Sequence, residues 1–176
     1  MNTTMHRPMP GNRGLRERLE QMTHNTDLAA HSKALQELKR DYPHGIRVLP
    51  SPDDEPLDRY NCVMYALGLV GRMREPLRIW SFKVDLDFLC RLTNEGYLTA
   101  STEPKSGTLV VWSSTHGVKH VGILAGPERA VSKWGIGLLL EHALHEVPAS
   151  YGDHLTYYDP PDSETQALLY QAVSEA

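Results

Sequence analysis

The fold of this 176-residue chain is decided by the stretch GTLVVWSSTHGVKHVGILAG, which runs from Gly107 to Gly126. Two apolar runs separated by a short polar segment are typical of neighbouring β-strands joined by a turn. A third run of the same kind, Ala130–Trp134, follows directly. The stretch therefore predicts an antiparallel meander with strands at residues 108–113, 120–125 and 130–134.

Helical patterns flank this meander on both sides. Apolar residues recur at helical spacing from Leu15 to about Tyr42, and Thr23–Asp27 interrupts them because Asn, Thr and Asp favour helix caps. The remaining predicted elements are an edge strand at Ile46–Leu49, helices from about Cys62 to Val70 and at Asp85–Asn94, a last strand at Leu155–Tyr158, and a C-terminal helix with a capping box of Ser163 and Gln166. The segment Ile136–Glu146 is expected to be helical or irregular.

These elements predict one domain of the α+β class. The length suits a single domain with its own core, and the 40% hydrophobic and 23% charged residues are ordinary globular values. Residues 1–14 are expected to form a disordered tail. Residues 15–57 form a helical N-terminal extension, and residues 58–176 form the domain that carries the chemistry and the C-terminal helix.

Composition and charge exclude several classes of function. A net charge of −4 gives no electrostatic case for nucleic-acid binding. The apolar runs are shorter than the roughly 18–20 residues that a membrane-spanning helix needs, and the polar N-terminus lacks the apolar core of a secretory signal. The protein is therefore expected to be cytoplasmic as synthesised. Two cysteines, Cys62 and Cys90, do not form a disulfide framework, and the sequence leaves open whether they pair.

Cys62 and His120 are the residue pair that points to chemistry. The cysteine opens the apolar helical run in RYNCVMYALG (residues 59–68), and the histidine opens a strand 58 residues later. A thiol becomes a strong nucleophile when a neighbouring imidazole takes its proton, and a helix N-terminus favours the resulting anion. Backbone N–H groups near the thiol can hold an oxyanion. The pattern predicts a cysteine hydrolase with Cys62 as nucleophile and His120 as general base.

These residues resemble the NlpC/P60 superfamily of papain-like cysteine hydrolases over residues 58–158. The match is carried by Tyr60-Asn61-Cys62 before an apolar helix, by the strand GTLVVW, and most closely by the strand HVGILAG. The segment SKWG and the later Tyr151-Gly152 also resemble an uncharacterised bacterial subgroup. Asn61 and Thr108 stand where the family usually has aspartate.

The resemblance implies a third polar residue on the strand that follows the histidine strand. We expect His142 in this role, with Ser132 as the alternative. Tyr60 either lines the oxyanion site with its hydroxyl or packs under the helix. Asn61, Lys133 and Trp134 complete the expected oxyanion and substrate side of the site.

The resemblance also implies a substrate, a peptide of the bacterial cell wall, which would make the protein a peptidoglycan amidase or endopeptidase. Delivery as a toxin by a secretion machine would explain the lack of a signal peptide, and it implies a secretion or immunity protein as partner. The alternatives are a cytosolic cysteine protease, deamidase or acyltransferase, and a non-catalytic binding module. No cofactor or metal is expected, since the sequence has no His-Glu-x-x-His, Cys-x-x-Cys or phosphate-loop motif. His31 and His44 are expected to be solvated.

Overall fold

A computed structural model describes residues 13–24, 27–71, 84–135 and 137–174. Over these residues the protein is α+β. The helices are α1 (Arg13–Thr23), α2 (Leu28–Asp41), α3 (Cys62–Ala66), α4 (Leu86–Asn94) and α5 (Ser163–Ser174). The strands are β1 (Arg47–Val48), β2 (Leu109–Ser114), β3 (Gly117–Gly126), β4 (Arg129–Lys133), β5 (Leu139–Ala143) and β6 (His154–Tyr158). Short 3-10 helices lie at Pro52–Asp54, Leu57–Arg59 and Ala149–Tyr151.

The strands form one antiparallel sheet in the order β1-β5-β4-β3-β2-β6. The predicted meander is confirmed as β2, β3 and β4. The predicted edge strand is confirmed as β1, and the predicted last strand is β6, which pairs with β2. The expectation of a helical or irregular segment at Ile136–Glu146 was wrong, because β5 lies inside it. A short apolar run such as LLLEHAL has no period that separates a buried strand from a helix.

Each face of the sheet packs against a different set of helices. Successive strand residues point to opposite faces, so β2 places Val111 on one face and Val110 and Trp112 on the other. We call the first the α3 face, since α3 and α4 pack on Val111 and Val121 there. We call the second the α1 face, where the core is closed by the N-terminal helices through Leu15, Leu19 and Leu35.

The helices differ from the prediction mainly at their ends. Residues 1–12 of the expected tail lie outside the described residues, whereas Arg13 and Gly14 belong to α1. Asp27 caps α2 by accepting from the backbone N–H groups of Ala29 and Ala30, which confirms the interruption between the two N-terminal helices.

The helix α3 ends four residues earlier than predicted. Gly68 takes a left-handed conformation (φ 69°), and the N–H of Leu69 donates to the carbonyl of Met64. This is the Schellman type of helix end, which terminates α3 at Ala66.

Two further corrections concern polar residues. Asp162, not Ser163, caps α5, because its carboxylate accepts from the N–H of Thr165 at 2.7 Å. His31 and His44 are buried rather than solvated, and Nε2 of His44 lies 3.1 Å from the carbonyl oxygen of Leu35. Over the described residues, no helix has the length and apolar character needed to span a membrane.

Candidate functional site

Asn61 fixes the position of Cys62 at the start of α3. Its side-chain oxygen accepts from the N–H groups of Val63 and Met64, both at 3.0 Å, and its amide donates to the carbonyl of Val84 at 2.7 Å. These three hydrogen bonds all go to the protein backbone, so the Asn61 side chain has a structural role. Asn61, expected on the oxyanion side of the site, is the N-cap of the helix that carries the cysteine.

The Cys62 thiol lies where α3 meets β3. The residue is partly buried, and the backbone amide of Val121 hydrogen bonds to the sulfur, so the sulfur lies beside the backbone of His120. Burial raises the pKa of the thiol to about 11, while the amides of Val121, Val63 and Cys62 and the charge of Lys133 oppose this rise. The thiol is therefore protonated near neutral pH. Both cysteines are free, so no disulfide joins Cys62 to Cys90.

His120 lies on the α1 face with its ring enclosed. It stands opposite Trp112 in the β2–β3 register, and its ring stacks on that of Tyr151 with centroids 4.0 Å apart. Burial, helped by the nearby His142, holds the pKa of His120 well below its usual value, so the imidazole is neutral. Its Nε2 is buried and has no hydrogen-bond partner among the described residues. The expected bond between this nitrogen and the Cys62 thiol is therefore not formed in the structure.

Tyr151 covers the imidazole, although no functional role was predicted for it. Burial raises the pKa of its hydroxyl, and the Cys62 charge acts in the same direction, so the phenol is near both residues of the expected pair. Tyr151 lies in a 3-10 helix that α1 holds in place. Arg16 donates to the carbonyls of Val147 and Gly152. Only the Tyr151-Gly152 pair hinted at this residue in the sequence.

His142 and Ser132 form a hydrogen-bonded chain of their own. His142 Nδ1 donates to the carbonyl of Ala143 at 2.8 Å, so Nε2 accepts from the Ser132 hydroxyl, also at 2.8 Å. The same hydroxyl accepts from Nε1 of Trp134 at 3.1 Å. Burial lowers the pKa of His142 to about 4. Neither candidate for the third residue hydrogen bonds to His120.

The position of β5 explains why His142 is separated from His120. The two histidines lie on strands that are two apart in the sheet, and the ring of Trp112 packs against both, with centroids 5.4 Å from His120 and 5.8 Å from His142. Ser132 lies on β4, directly beside the histidine strand, as the resemblance implies for a third residue. Trp134, expected to line the substrate side, is buried in the core of the α1 face.

Tyr60 and Lys133 lie together on the α3 face. Tyr60 is fully buried and its hydroxyl is hydrogen bonded to that of Ser51 at 2.9 Å, so it packs under the helix as the second of its two expected roles describes. The Lys133 ammonium lies 5.1 Å from the centroid of the Tyr60 ring. Burial lowers the pKa of Lys133 to about 8, and the charges of Cys62 and Asp58 oppose this shift.

Within the described part of the chain, no group of three or more His, Cys, Asp or Glu side chains is arranged to hold a metal ion. The groups of the candidate site are the thiol of Cys62, the neutral imidazole of His120 with one free nitrogen, the buried ammonium of Lys133 and backbone amides. Such a set can support acyl transfer through a thioester.

Comparison with known proteins places the chain in a family but gives it no function. No curated protein and no solved structure matches it. One family model matches residues 52–159, a range that contains α3, β2–β6 and every residue of the site. Because this match covers more than half of the chain, the protein belongs to the family described as Domain of unknown function (DUF7689).

Proposed function

We propose that this protein is a cysteine hydrolase that cleaves an amide bond through a thioester on Cys62. The observation that carries the proposal is that the Cys62 sulfur lies at the Val121 amide, next along β3 from His120, whose buried Nε2 has no partner among the described residues. A buried nitrogen without a partner costs free energy, and such groups persist where function needs them. The same proposal includes a papain-like form of the α+β fold. In that form, the helix that carries the cysteine packs on an antiparallel sheet that carries the histidine.

The protonation states decide how such a reaction proceeds. Because burial keeps both the thiol and the imidazole neutral, Nε2 of His120 takes the thiol proton while the sulfur attacks the carbonyl carbon, not before. The bond between Cys62 and His120 is not formed in the structure, so the proposal requires that it forms when substrate binds, as catalytic hydrogen bonds often do.

The remaining steps balance with the same two residues. His120 returns the proton to the leaving amine as the carbon–nitrogen bond breaks, which leaves a thioester on Cys62. His120 then takes a proton from water as the water attacks the thioester, and it gives this proton to the sulfur as the carbon–sulfur bond breaks. The products are a carboxylic acid and the free thiol. Backbone N–H groups beside the sulfur hold the negative oxygen in both steps.

The substrate class of the proposal is a peptide of the bacterial cell wall. It rests on the resemblance of the Cys62 segment and the His120 strand to NlpC/P60 hydrolases. With it come the proposals of delivery between bacteria by a secretion machine and of a secretion or immunity protein as partner. The rival enzymatic proposal is a cytosolic cysteine protease, deamidase or acyltransferase.

A binding module on the same fold is the second candidate, and one observation favours it. A thiol whose pKa burial raises to about 11, with no bond to a base, is a poor resting nucleophile. In that case Cys62 packs between α3 and β3, and the free nitrogen of His120 receives a group of the bound partner.

The test is the release of new amino groups from purified peptidoglycan, together with acid-quenched mass spectrometry that detects an acyl group on Cys62. The parent protein should release amines, Cys62→Ala should release none, and His120→Gln should be slower by about 10²–10⁴-fold, the usual contribution of a general base. Cys90→Ser is the matched control, because that thiol lies on α4.

Each negative result has its own meaning. Acylation of Cys62 by peptide or protein amides, without cleavage of peptidoglycan, would replace the wall substrate by the cytosolic alternative. No acylation by any amide, with Cys62→Ala behaving as the parent protein in every assay, would leave the binding module.

A further inference from the structure

Lys133 is a buried cation with little local compensation. The side chain is fully enclosed, and its ammonium donates to the carbonyl of Gly135 at 2.9 Å. A lysine ammonium has three donors, and this bond uses one of them. The Tyr60 ring, 5.1 Å away, offers a cation–π contact. Burying a charge is costly unless other charges or dipoles compensate for it.

The geometry of β4 turns this cation toward the cysteine rather than toward the histidines. Ser132 and Lys133 are consecutive on the strand, so their side chains point to opposite faces. Ser132 bonds to His142 on the α1 face, whereas Lys133 lies on Tyr60 on the α3 face. Tyr60 is two residues before Cys62, and α3 contacts both β3 and β4.

In the part of the chain that the structure describes, few charged and titratable groups surround the pair. Lys133 interacts with Cys62 on α3, with Asp58 in the preceding 3-10 helix and with the Tyr60 ring. Cys62 interacts with Lys133 and, on its other side, with Tyr151. His120 is neutral, so Lys133 is the positive group that acts on the sulfur.

We infer that Lys133 is a positioning residue whose buried ammonium stabilises the negative charge that develops on the Cys62 sulfur. This inference rests on the proposed function, since it assigns the charge that assists the attack. Lys133 has no exposed surface for a substrate, so it acts through Cys62 and not by contact with the reacting amide.

The pH profile of Cys62 reactivity gives a signature that a purely structural lysine would not produce. Below about pH 8 Lys133 is charged, and the thiolate fraction rises about tenfold per pH unit. Above that pH the ammonium loses its proton, and the loss of charge on Lys133 offsets part of the gain in thiolate. The reactivity should therefore rise steeply to about pH 8 and then enter a shallower section, the plateau of the profile, until Lys133 is neutral.

The experiment measures the alkylation rate of Cys62 by iodoacetamide from pH 6 to pH 10, with intact-protein mass spectrometry and with Cys90→Ser as the parent. Lys133→Met, which keeps the length of the side chain, should lower the rate at pH 7 at least tenfold and remove the plateau. Lys105→Met, at an exposed lysine in the turn before β2, should leave the profile unchanged.

A second variant avoids any change in the core. Asp58 is exposed and its charge raises the pKa of Lys133, so Asp58→Asn should move the start of the plateau to lower pH. Asp159→Asn, an exposed carboxylate after the far edge strand β6, is its control. If Lys133→Met does not fold, the pH profile of Asp58→Asn shows whether the charge of Lys133 acts on Cys62.

The outcomes separate the inference from the proposed function. An unchanged profile in Lys133→Met, or in Asp58→Asn where Lys133→Met is unfolded, overturns the role of Lys133, even if the protein cleaves amides through Cys62. A profile that depends on Lys133 in a protein that cleaves no amide supports the coupling of the two residues and rejects the hydrolase.

Discussion

At the scale of single residues, burial controls the protonation of the α1 face. His120 and His142 are both enclosed, and both remain neutral because an imidazolium would lose its hydration there. The two differ in their hydrogen bonds. His142 has a partner for each ring nitrogen, whereas His120 has a free Nε2. His142 is therefore a satisfied core residue, and His120 is the imidazole that remains available for chemistry.

Acid should destabilise the protein through His142. Its pKa is about 4 when folded against 6.5 unfolded, so between these values the unfolded chain binds a proton that the folded chain does not. The free energy of unfolding therefore falls as the pH drops from 6.5 to 4, by at most about 1.4 kcal/mol per pH unit for this group.

Urea unfolding at a series of pH values measures this dependence. His142→Gln should reduce the slope of unfolding free energy against pH in that window, whatever its effect at pH 7. His116→Gln, at an exposed position in the turn before β3, should keep the parent slope. If the free energy of unfolding has the same slope against pH in the parent protein and in His142→Gln, the pH dependence does not come from His142.

At the scale of elements, the segment after β5 carries Tyr151 to the imidazole. Gly152 allows this segment to pass against the end of β2. Its φ is 91°, and a Cβ at this position would lie 2.1 Å from the carbonyl oxygen of Ser113. The close approach lets the N–H of Asp153 donate to that same carbonyl. Tyr151 is thus held over His120 by a contact between two backbone segments, and this contact leaves no room for a side chain at position 152.

A matched pair of glycine substitutions should separate conformational cost from steric clash. Gly117 has a similar φ of 97°, but a Cβ there would meet nothing within 4 Å. Gly117→Ala should therefore lower the free energy of unfolding by about 1–3 kcal/mol, the usual cost of a strained backbone conformation. Gly152→Ala should lower it by clearly more, because the clash with Ser113 adds to the same cost.

Chemical denaturation of the two variants gives both values. Hydrogen exchange should also show faster exchange in residues 147–153 for Gly152→Ala alone. Equal losses of stability would mean that the close approach at Gly152 does not constrain the segment.

At the scale of the whole molecule, the N-terminal helices complete the domain although the family match begins after them. The match starts at residue 52, yet α1 and α2 cover the face of the sheet that contains Trp112 and Trp134. Arg16 is buried, bonds to carbonyls of the segment that carries Tyr151, and pairs with Asp153. The helical extension is therefore part of the core and not a separate arm.

Removal of this extension should unfold or loosen the α1 face. A fragment of residues 45–176 should show red-shifted tryptophan fluorescence and bind a hydrophobic dye, because Trp112 and Trp134 lose their cover. A fragment of residues 13–176, which keeps both helices, should match the full chain. Cooperative unfolding of the shorter fragment at the midpoint of the full chain would show that the sheet does not need α1 and α2.

Much of the local structure could be predicted from the amino-acid pattern alone. The apolar runs in the stretch 107–134 predicted the strands β2, β3 and β4, and the helix predicted at Asp85–Asn94 is α4, with Asp85 as its cap. These features depend on contacts between neighbours along the chain, so their pattern is visible in one dimension. The nomination of Cys62 and His120 also came from local context, and their catalytic roles stay a prediction.

The contacts of each polar side chain could not be predicted in this way, because they depend on how the strands and helices pack. The strand β5 is defined by its pairing with β4, and that pairing placed His142 two strands from His120. The partners of Ser132, Trp134 and Lys133 likewise depend on which face each residue occupies. Such contacts join residues far apart in the chain, and burial, which sets the protonation of every group at the site, exists only once the sheet and its two helical layers have packed.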